Sequence, residues 1–252
     1  MLKIILFIFF SVITNALLCL SGTIDPNVSD EKYVEYGSKF NCILRLEGYN
    51  DNNQLMSASC VAINNEWVLT AAHVVQPMET SYIIYNHDNI TIDQTIIHKD
   101  FYVERFGVAD IAICHLSKKI DLDFYPELYS DMDEISKVCS ISGFGATGTF
   151  DTGSEKIDGK RRSGSNIIDE IQEDLLVCSP SKYDKKTSLE FLIAHGDSGG
   201  GLFINNKLAG INSCVMTTDK KPNSSYGDEG GHTRISKYIS WIKENINGNV
   251  KP

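Results

Sequence analysis

Trp67-Val68-Leu69-Thr70-Ala71-Ala72-His73 is a short apolar run that ends on a histidine, and Gly196-Asp197-Ser198-Gly199-Gly200 sets a serine among glycines. Similar runs recur along the chain. Cys42–Leu46, Ala58–Ile63, Trp67–Thr70, Tyr82–Tyr85, Thr91–Ile97 and Ile111–Leu116 form one series, and Lys137–Ser142, Leu175–Cys178, Leu202–Ile204 and Leu208–Val215 a second. Each is short, rich in branched and aromatic residues and bounded by turn formers, with no long helical pattern between. That order predicts an all-β barrel or sandwich. Only the end differs: Ile235, Ile239, Ile242 and Ile246 recur at helical spacing, so 236–246 reads as an amphipathic helix.

Nucleophilic acyl transfer needs a hydroxyl, a base to take its proton and a carboxylate to orient that base. It also needs backbone N–H donors facing the developing oxyanion, which favours glycine beside the nucleophile. His73, then Asp110 at the head of the apolar Ile111-Ala112-Ile113, then Ser198 supply these groups in that order. Gly196-Asp197-Ser198-Gly199-Gly200 also fits the Gly-x-Ser-x-Gly turn of α/β-hydrolases. That fold needs an acid and then a histidine after the serine, with helices between strands. Only His232 follows Ser198, among strand and loop patterns.

These motifs resemble those of the chymotrypsin/trypsin-like serine peptidases, and the similarity runs from about Cys60 to Ile246. Ile63 to His73 is similar to the family's histidine segment, and Ile97-His98-Lys99-Asp100-Phe101 leading to Asp110 to its aspartate segment. Cys139 to Gly145 resembles the start of the second barrel, and Tyr238-Ile239-Ser240-Trp241-Ile242 the C-terminal helix. The resemblance implies two six-stranded antiparallel β-barrels, about 40–125 and 135–234, with a helix at about 236–246 and the active site in the cleft between the barrels. It implies His73 as general base, Asp110 as its orienting acid, Ser198 as nucleophile, and the Gly196 and Ser198 N–H groups as oxyanion hole. Ser213 matches a position whose backbone pairs with an extended substrate, a binding role rather than a chemical one. A protease-like binding module without catalysis is the alternative.

The chain departs from the family at the pocket and at the cysteines. Where trypsin-like members carry an Asp that pairs with Lys or Arg, this chain has Leu192, followed by Ile193. Val215 stands near a wall that is usually glycine, with Gly230 opposite. Such a pocket cannot satisfy a buried cation, so a small or medium apolar side chain is expected before the scissile bond. His195 falls at the rim. His232 falls near the base, where it could instead recognise an acidic side chain. The usual cysteine after the catalytic histidine is Val74, and few or no bridges are expected among Cys42, Cys60, Cys114, Cys139, Cys178 and Cys214.

Lys3 and the apolar Ile4 to Ile13, followed by small Ser21 and Gly22, read as a secretory signal over 1–22. The absence of charge from Ile4 to Leu20 leaves a membrane anchor as the competing reading. Cleavage would remove Cys19, the odd member of seven cysteines. The remainder, 23–252, reads as one exported peptidase domain, secreted or periplasmic, monomeric and without stable membrane association. Thr23 to Lys39 reads as an extended arm. In zymogens of the family a new N-terminal Ile pairs with the Asp before the nucleophile. Ile24 and Asp197 are the candidates here, or else Asp197 is satisfied locally. Lys160-Arg161-Arg162 reads as a solvated loop in preference to an anion site. A formal charge of −10 opposes nucleic-acid binding. No His-Glu-x-x-His or Cys-x-x-Cys occurs, so neither metal nor cofactor is expected.

Overall fold

A computed structural model describes residues 22–105, 107–156 and 158–248. The expected leader, apart from Gly22, lies outside them. Two hairpins show how local sequence sets the strands. Asn86-His87 joins Met78–Tyr85 to Asp88–Ile97 with φ of 49° and 68°, and Asn205-Asn206 joins Gly201–Ile204 to Lys207–Met216 with φ of 50° and 63°. Two-residue loops with both φ positive match the right-handed twist of the flanking strands, and Asn tolerates that region well.

Ile43–Asn50, Leu55–Ala62, Trp67–Thr70, Met78–Tyr85, Asp88–Ile97 and Ala112–Leu116 close into a six-stranded barrel, every neighbouring pair antiparallel. Trp67–Thr70 is buried along its whole length. The second half is built on a seven-stranded antiparallel sheet, one strand more than expected, and with the closed barrel and the C-terminal helix it makes the expected all-β architecture. The order of this sheet is Arg162–Ile167, Val138–Gly143, Gly201–Ile204, Lys207–Met216, Glu229–Arg234, Leu175–Cys178 and Glu170–Gln172. A small sheet beside it holds Gly153–Lys156, Thr147–Thr149, Thr23–Ile24 and Phe191–Leu192. Phe203, Leu208 and Ile211 of the second half join the apolar core of the barrel, so the two halves share packing across their junction.

The arm after the leader is not extended throughout. Asp30–Gly37 is a helix whose Tyr33 is fully buried, with its hydroxyl donating to the Glu190 carbonyl at 3.0 Å. The basic triplet is not a solvated loop either. Arg162 is 1% exposed and pairs with Asp30 at 2.5 Å and Asp158 at 2.7 Å. Arg161 donates to the carbonyls of Gly37 and Ile43. A guanidinium can be buried only with its charge matched and its donors taken, and the arm helix supplies one of the two carboxylates.

At the C-terminus, the turn Ile235–Lys237 leads into the helix Ile239–Gly248. Ile242 is fully buried, and the His98 ring meets Tyr238 and Trp241 edge-on at 5.1 and 4.9 Å. The last element thus docks on the first barrel. All six cysteines among the described residues are free thiols. Burial pushes the Cys42 and Cys114 thiols up to about 12, and the Cys139 and Cys178 sulfurs lie 3.7 Å apart. They serve as small core residues.

Candidate active site

His73 lies in the short helix Ala72–Val75 that follows Trp67–Thr70, and Asp110 stands just before Ala112–Leu116, the neighbouring barrel strand. Ala109 holds a φ of 52°, which is uncommon for a residue with a side chain and sets the chain direction into Asp110. The Asp110 carboxylate is fully buried and accepts three hydrogen bonds. The His73 backbone N–H donates to Oδ1 at 2.9 Å, while Oδ2 accepts from His73 Nδ1 at 2.8 Å and from Ser213 Oγ at 2.6 Å. Burial alone would raise its pKa. The His73 ring and these donors outweigh that and hold Asp110 below the usual carboxylate range. An ionised Oδ2 requires the proton on Nδ1, which leaves Nε2 as an acceptor 3.0 Å from Ser198 Oγ.

Ser198 is carried by the segment between the buried strands Phe191–Leu192 and Gly201–Ile204. Gly196 adopts φ 92° and Gly199 φ 82°, and a side chain at Gly199 would collide with the Ser59 carbonyl and Thr70 Oγ1. Ser59 clamps the loop on both sides of Asp197. Its hydroxyl donates to the Gly196 carbonyl at 3.0 Å, and its N–H to the Ser198 carbonyl at 2.9 Å. The peptide planes that carry the Gly196 and Ser198 N–H groups are held by other donors: the His195 carbonyl accepts from Ala146 N–H at 2.7 Å, and the Asp197 carbonyl from Gly200 N–H at 2.9 Å and Asn212 Nδ2 at 3.1 Å, while the two N–H groups have no acceptor among the described residues.

Asp197 anchors the same loop from behind. Its carboxylate accepts the N–H groups of Ala194, Gly145 and Gly22 at 2.9, 2.8 and 2.8 Å. Burial outweighs these donors and pushes its pKa up to about 6. Ile24 does not supply the N-terminal partner: it is buried in Thr23–Ile24, paired with Phe191 and Thr149. The backbone nitrogen that reaches Asp197 belongs to Gly22, two residues earlier.

Leu192 and Ile193 are buried at 1% and 3% exposure, and Val215 pairs with Gly230 across adjacent strands. A Cβ placed on Gly230 would lie 3.2 Å from His232 Nε2 and 3.3 Å from both Ile193 Cγ1 and Leu192 Cδ1. Leu192, Ile193, Gly230 and His232 therefore meet around one point, with Val215 on the strand paired to Gly230. His195 is exposed, and its carbonyl accepts the Ala146 N–H. Ser213 sits at a bulge between paired residues Asn212 and Cys214, with its hydroxyl committed to Asp110. That side-chain contact, the Ser59 clamp and the Gly22 contact are not foreseen from the sequence, which carries no local pattern for any of them. No group of His, Cys, Asp and Glu suited to a metal ion occurs among the described residues.

The chain is similar to known proteins. The trypsin family profile matches residues 46–242. Tryptase of Mus musculus is 24% identical over 220 residues, covering 71% of this chain and 75% of that protein. Trypsin I-P1 of Gallus gallus is 27% identical over 207 residues, with coverage of 74% and 78%. Among solved structures, HL collagenase matches with a TM-score of 0.68 at 19% identity, covering 82% of this chain and 94% of that one. Neuropsin, a serine protease expressed in the limbic system of mouse brain, matches with a TM-score of 0.65 at 20% identity. With the family profile spanning most of the barrel and sheet, the chain belongs to the trypsin family of serine-type endopeptidases.

Proposed function

We propose that the enzyme cleaves peptide bonds through an acyl-enzyme on Ser198, with His73 as general base and then general acid, and Asp110 as the group that orients His73. What carries the reading is the unbroken chain of contacts from Ser198 Oγ through the His73 ring to Asp110, at 3.0 and 2.8 Å. As Ser198 Oγ attacks the carbonyl carbon, its proton passes to Nε2, and Asp110 stabilises the imidazolium. The carbonyl oxygen, now an anion, takes hydrogen bonds from the Gly196 and Ser198 N–H groups. Loss of one such donor typically costs roughly 3–4 kcal/mol of transition-state stabilisation. Collapse of the intermediate breaks the C–N bond, and His73 returns the proton to the leaving amine. Water then repeats the cycle and frees Ser198.

The substrates are proteins or peptides. A side chain before the scissile bond would lie against Leu192, Ile193, Val215 and Gly230, with Ser213 beside the extended substrate backbone. These walls offer no carboxylate to Lys or Arg, and a small or medium apolar side chain fits them. Export by removal of a leader and action as a monomer complete the proposal. Among the described residues no helix is long and apolar enough to cross a membrane.

Profiling a peptide library with the wild type and Ser198→Ala tests it. A phosphonylating serine reagent should label wild type once and Ser198→Ala not at all, and the substitution should lower kcat by about 10⁶-fold. Cleavage after Lys or Arg would overturn the pocket reading. An unlabelled Ser198 would instead identify a binding module.

A further inference from the structure

His232 is fully buried, and its two ring nitrogens differ in what they meet. Nδ1 lies 2.9 Å from Asn212 Oδ1. The Asn212 amide is fixed by its other end, where Nδ2 donates to the carbonyls of Ser142 at 3.0 Å and Asp197 at 3.1 Å. Oδ1 is therefore the atom that faces His232, and Nδ1 must carry the proton. That leaves Nε2 as a bare lone pair. It is buried without a hydrogen-bond partner among the described residues, and a Cβ on Gly230 would lie 3.2 Å from it and 3.3 Å from Leu192 Cδ1 and Ile193 Cγ1. A buried acceptor left unpaired is unfavourable, so a ligand donor that reaches it gains more than the same contact made in water.

We propose that His232 is a specificity-determining residue: its Nε2 accepts a hydrogen bond from the side chain before the scissile bond, so the pocket prefers an amide side chain, glutamine or asparagine, over an apolar one of equal size. The inference rests on the endopeptidase reading above and narrows its pocket: where an apolar side chain fits by shape, an amide of the same size fits with one hydrogen bond more. Glutamine matches methionine in length, and asparagine matches leucine in bulk. Leu192, Ile193 and Val215 contact the stem of either member of each pair, and only the amide N–H pairs with Nε2. A carboxylate is the wrong partner, since it brings lone pairs to a lone pair. Protonating His232 to receive it is opposed by burial, which holds the ring pKa down at about 3, and Nδ1 faces the uncharged Asn212 amide. A lysine brings a charge that one neutral nitrogen cannot offset.

The test is kcat/KM on five peptides that differ only before the scissile bond, with Gln, Met, Asn, Leu and Glu there, for wild type, His232→Phe and Gly230→Ala. Folding of each variant is verified by stoichiometric phosphonylation of Ser198. Wild type should favour Gln over Met, and Asn over Leu, by about tenfold or more. His232→Phe keeps the ring and removes the acceptor, so both preferences should vanish or invert. Gly230→Ala keeps the acceptor but sets a methyl against it and should weaken both preferences, which gives a second route if His232→Phe does not fold. Wild type preferring Met and Leu, preferring Glu over Gln, or losing nothing in folded His232→Phe would overturn the role of His232 while leaving the peptidase intact. Wild type that neither cleaves nor takes up the reagent would overturn the peptidase reading, and this inference with it.

Discussion

The contact between Gly22 and Asp197 makes the stability of the enzyme depend on where its chain begins. With residues ahead of Gly22, the donor to Asp197 Oδ2 is an uncharged backbone N–H at 2.8 Å, and burial raises the carboxyl from 3.8 to about 6. At 1.36 kcal/mol per unit, a shift of that size opposes folding by about 3 kcal/mol once the group is ionised. The sign follows from proton counts. Between pH 3.8 and about 6 the folded state holds a proton on Asp197 that the unfolded state has released, so stability falls as pH rises through that window. A chain that begins at Gly22 presents an ammonium at the same point, largely charged at pH 7 because a free α-amino group has a pKa of about 7.7–8.0. It pairs with the carboxylate and removes the opposition.

Two forms of Ser198→Ala, which cannot digest itself, make the comparison: one beginning at Gly22 and one retaining Leu20-Ser21 ahead of it. Urea unfolding at pH 7 should show the Gly22 form more stable by about 3 kcal/mol, and by pH 4 the gap should shrink to under about 1 kcal/mol. Equal stabilities at pH 7, or a gap unchanged between pH 7 and pH 4, would refute the reasoning. Cleavage one residue earlier than the expected 1–22 boundary yields this form directly.

Ser213→Ala removes the 2.6 Å hydroxyl from the Asp110 carboxylate but keeps the backbone that would line the substrate. It should lower kcat by about tenfold with KM nearly unchanged, since hydrogen bonds to charged groups are worth about 1.5–3 kcal/mol; steady-state kinetics on one peptide decides it. Arg162→Met leaves the facing carboxylates of Asp30 and Asp158 without their partner. Because both carboxylates keep some access to water, denaturant unfolding at pH 7 should show a loss of about 1–3 kcal/mol.

The parts of this molecule that the sequence reveals are those whose cause is local. His73 follows its own strand, Asp110 precedes its own strand, and Ser198 sits in its own glycine turn, so each is visible within a few residues. The helix Asp30–Gly37 is missed because only Tyr33 and Gly37 within it are buried, which is too little to register as a period. Arg162 is misread for a related reason. A basic triplet looks solvated until Asp30, 132 residues away, is brought against it. Ser213 and Asp110 lie 103 residues apart, and Gly22 and Asp197 lie 175 apart. Contacts of that span leave no spacing to read.

Asn212 joins features that lie far apart in the chain. Its Nδ2 donates to the Asp197 carbonyl, its backbone N–H to the Gly200 carbonyl, and its own carbonyl accepts the Gly199 N–H, while Oδ1 faces His232. The Asp197 side chain, in turn, holds Gly22, Gly145 and Ala194. The chain start, the loop bearing the Gly196 and Ser198 N–H groups and the base of the pocket are therefore fixed by one buried hydrogen-bond network. Such networks are stiff when every member is satisfied, and a gap in one is energetically exposed. In this network the Asp197 carboxyl is short of charge, and His232 Nε2 is short of a donor. The first lies where an N-terminal ammonium fits, and the second where a substrate amide fits. Each deficit is thus placed where an event of the enzyme's working life relieves it.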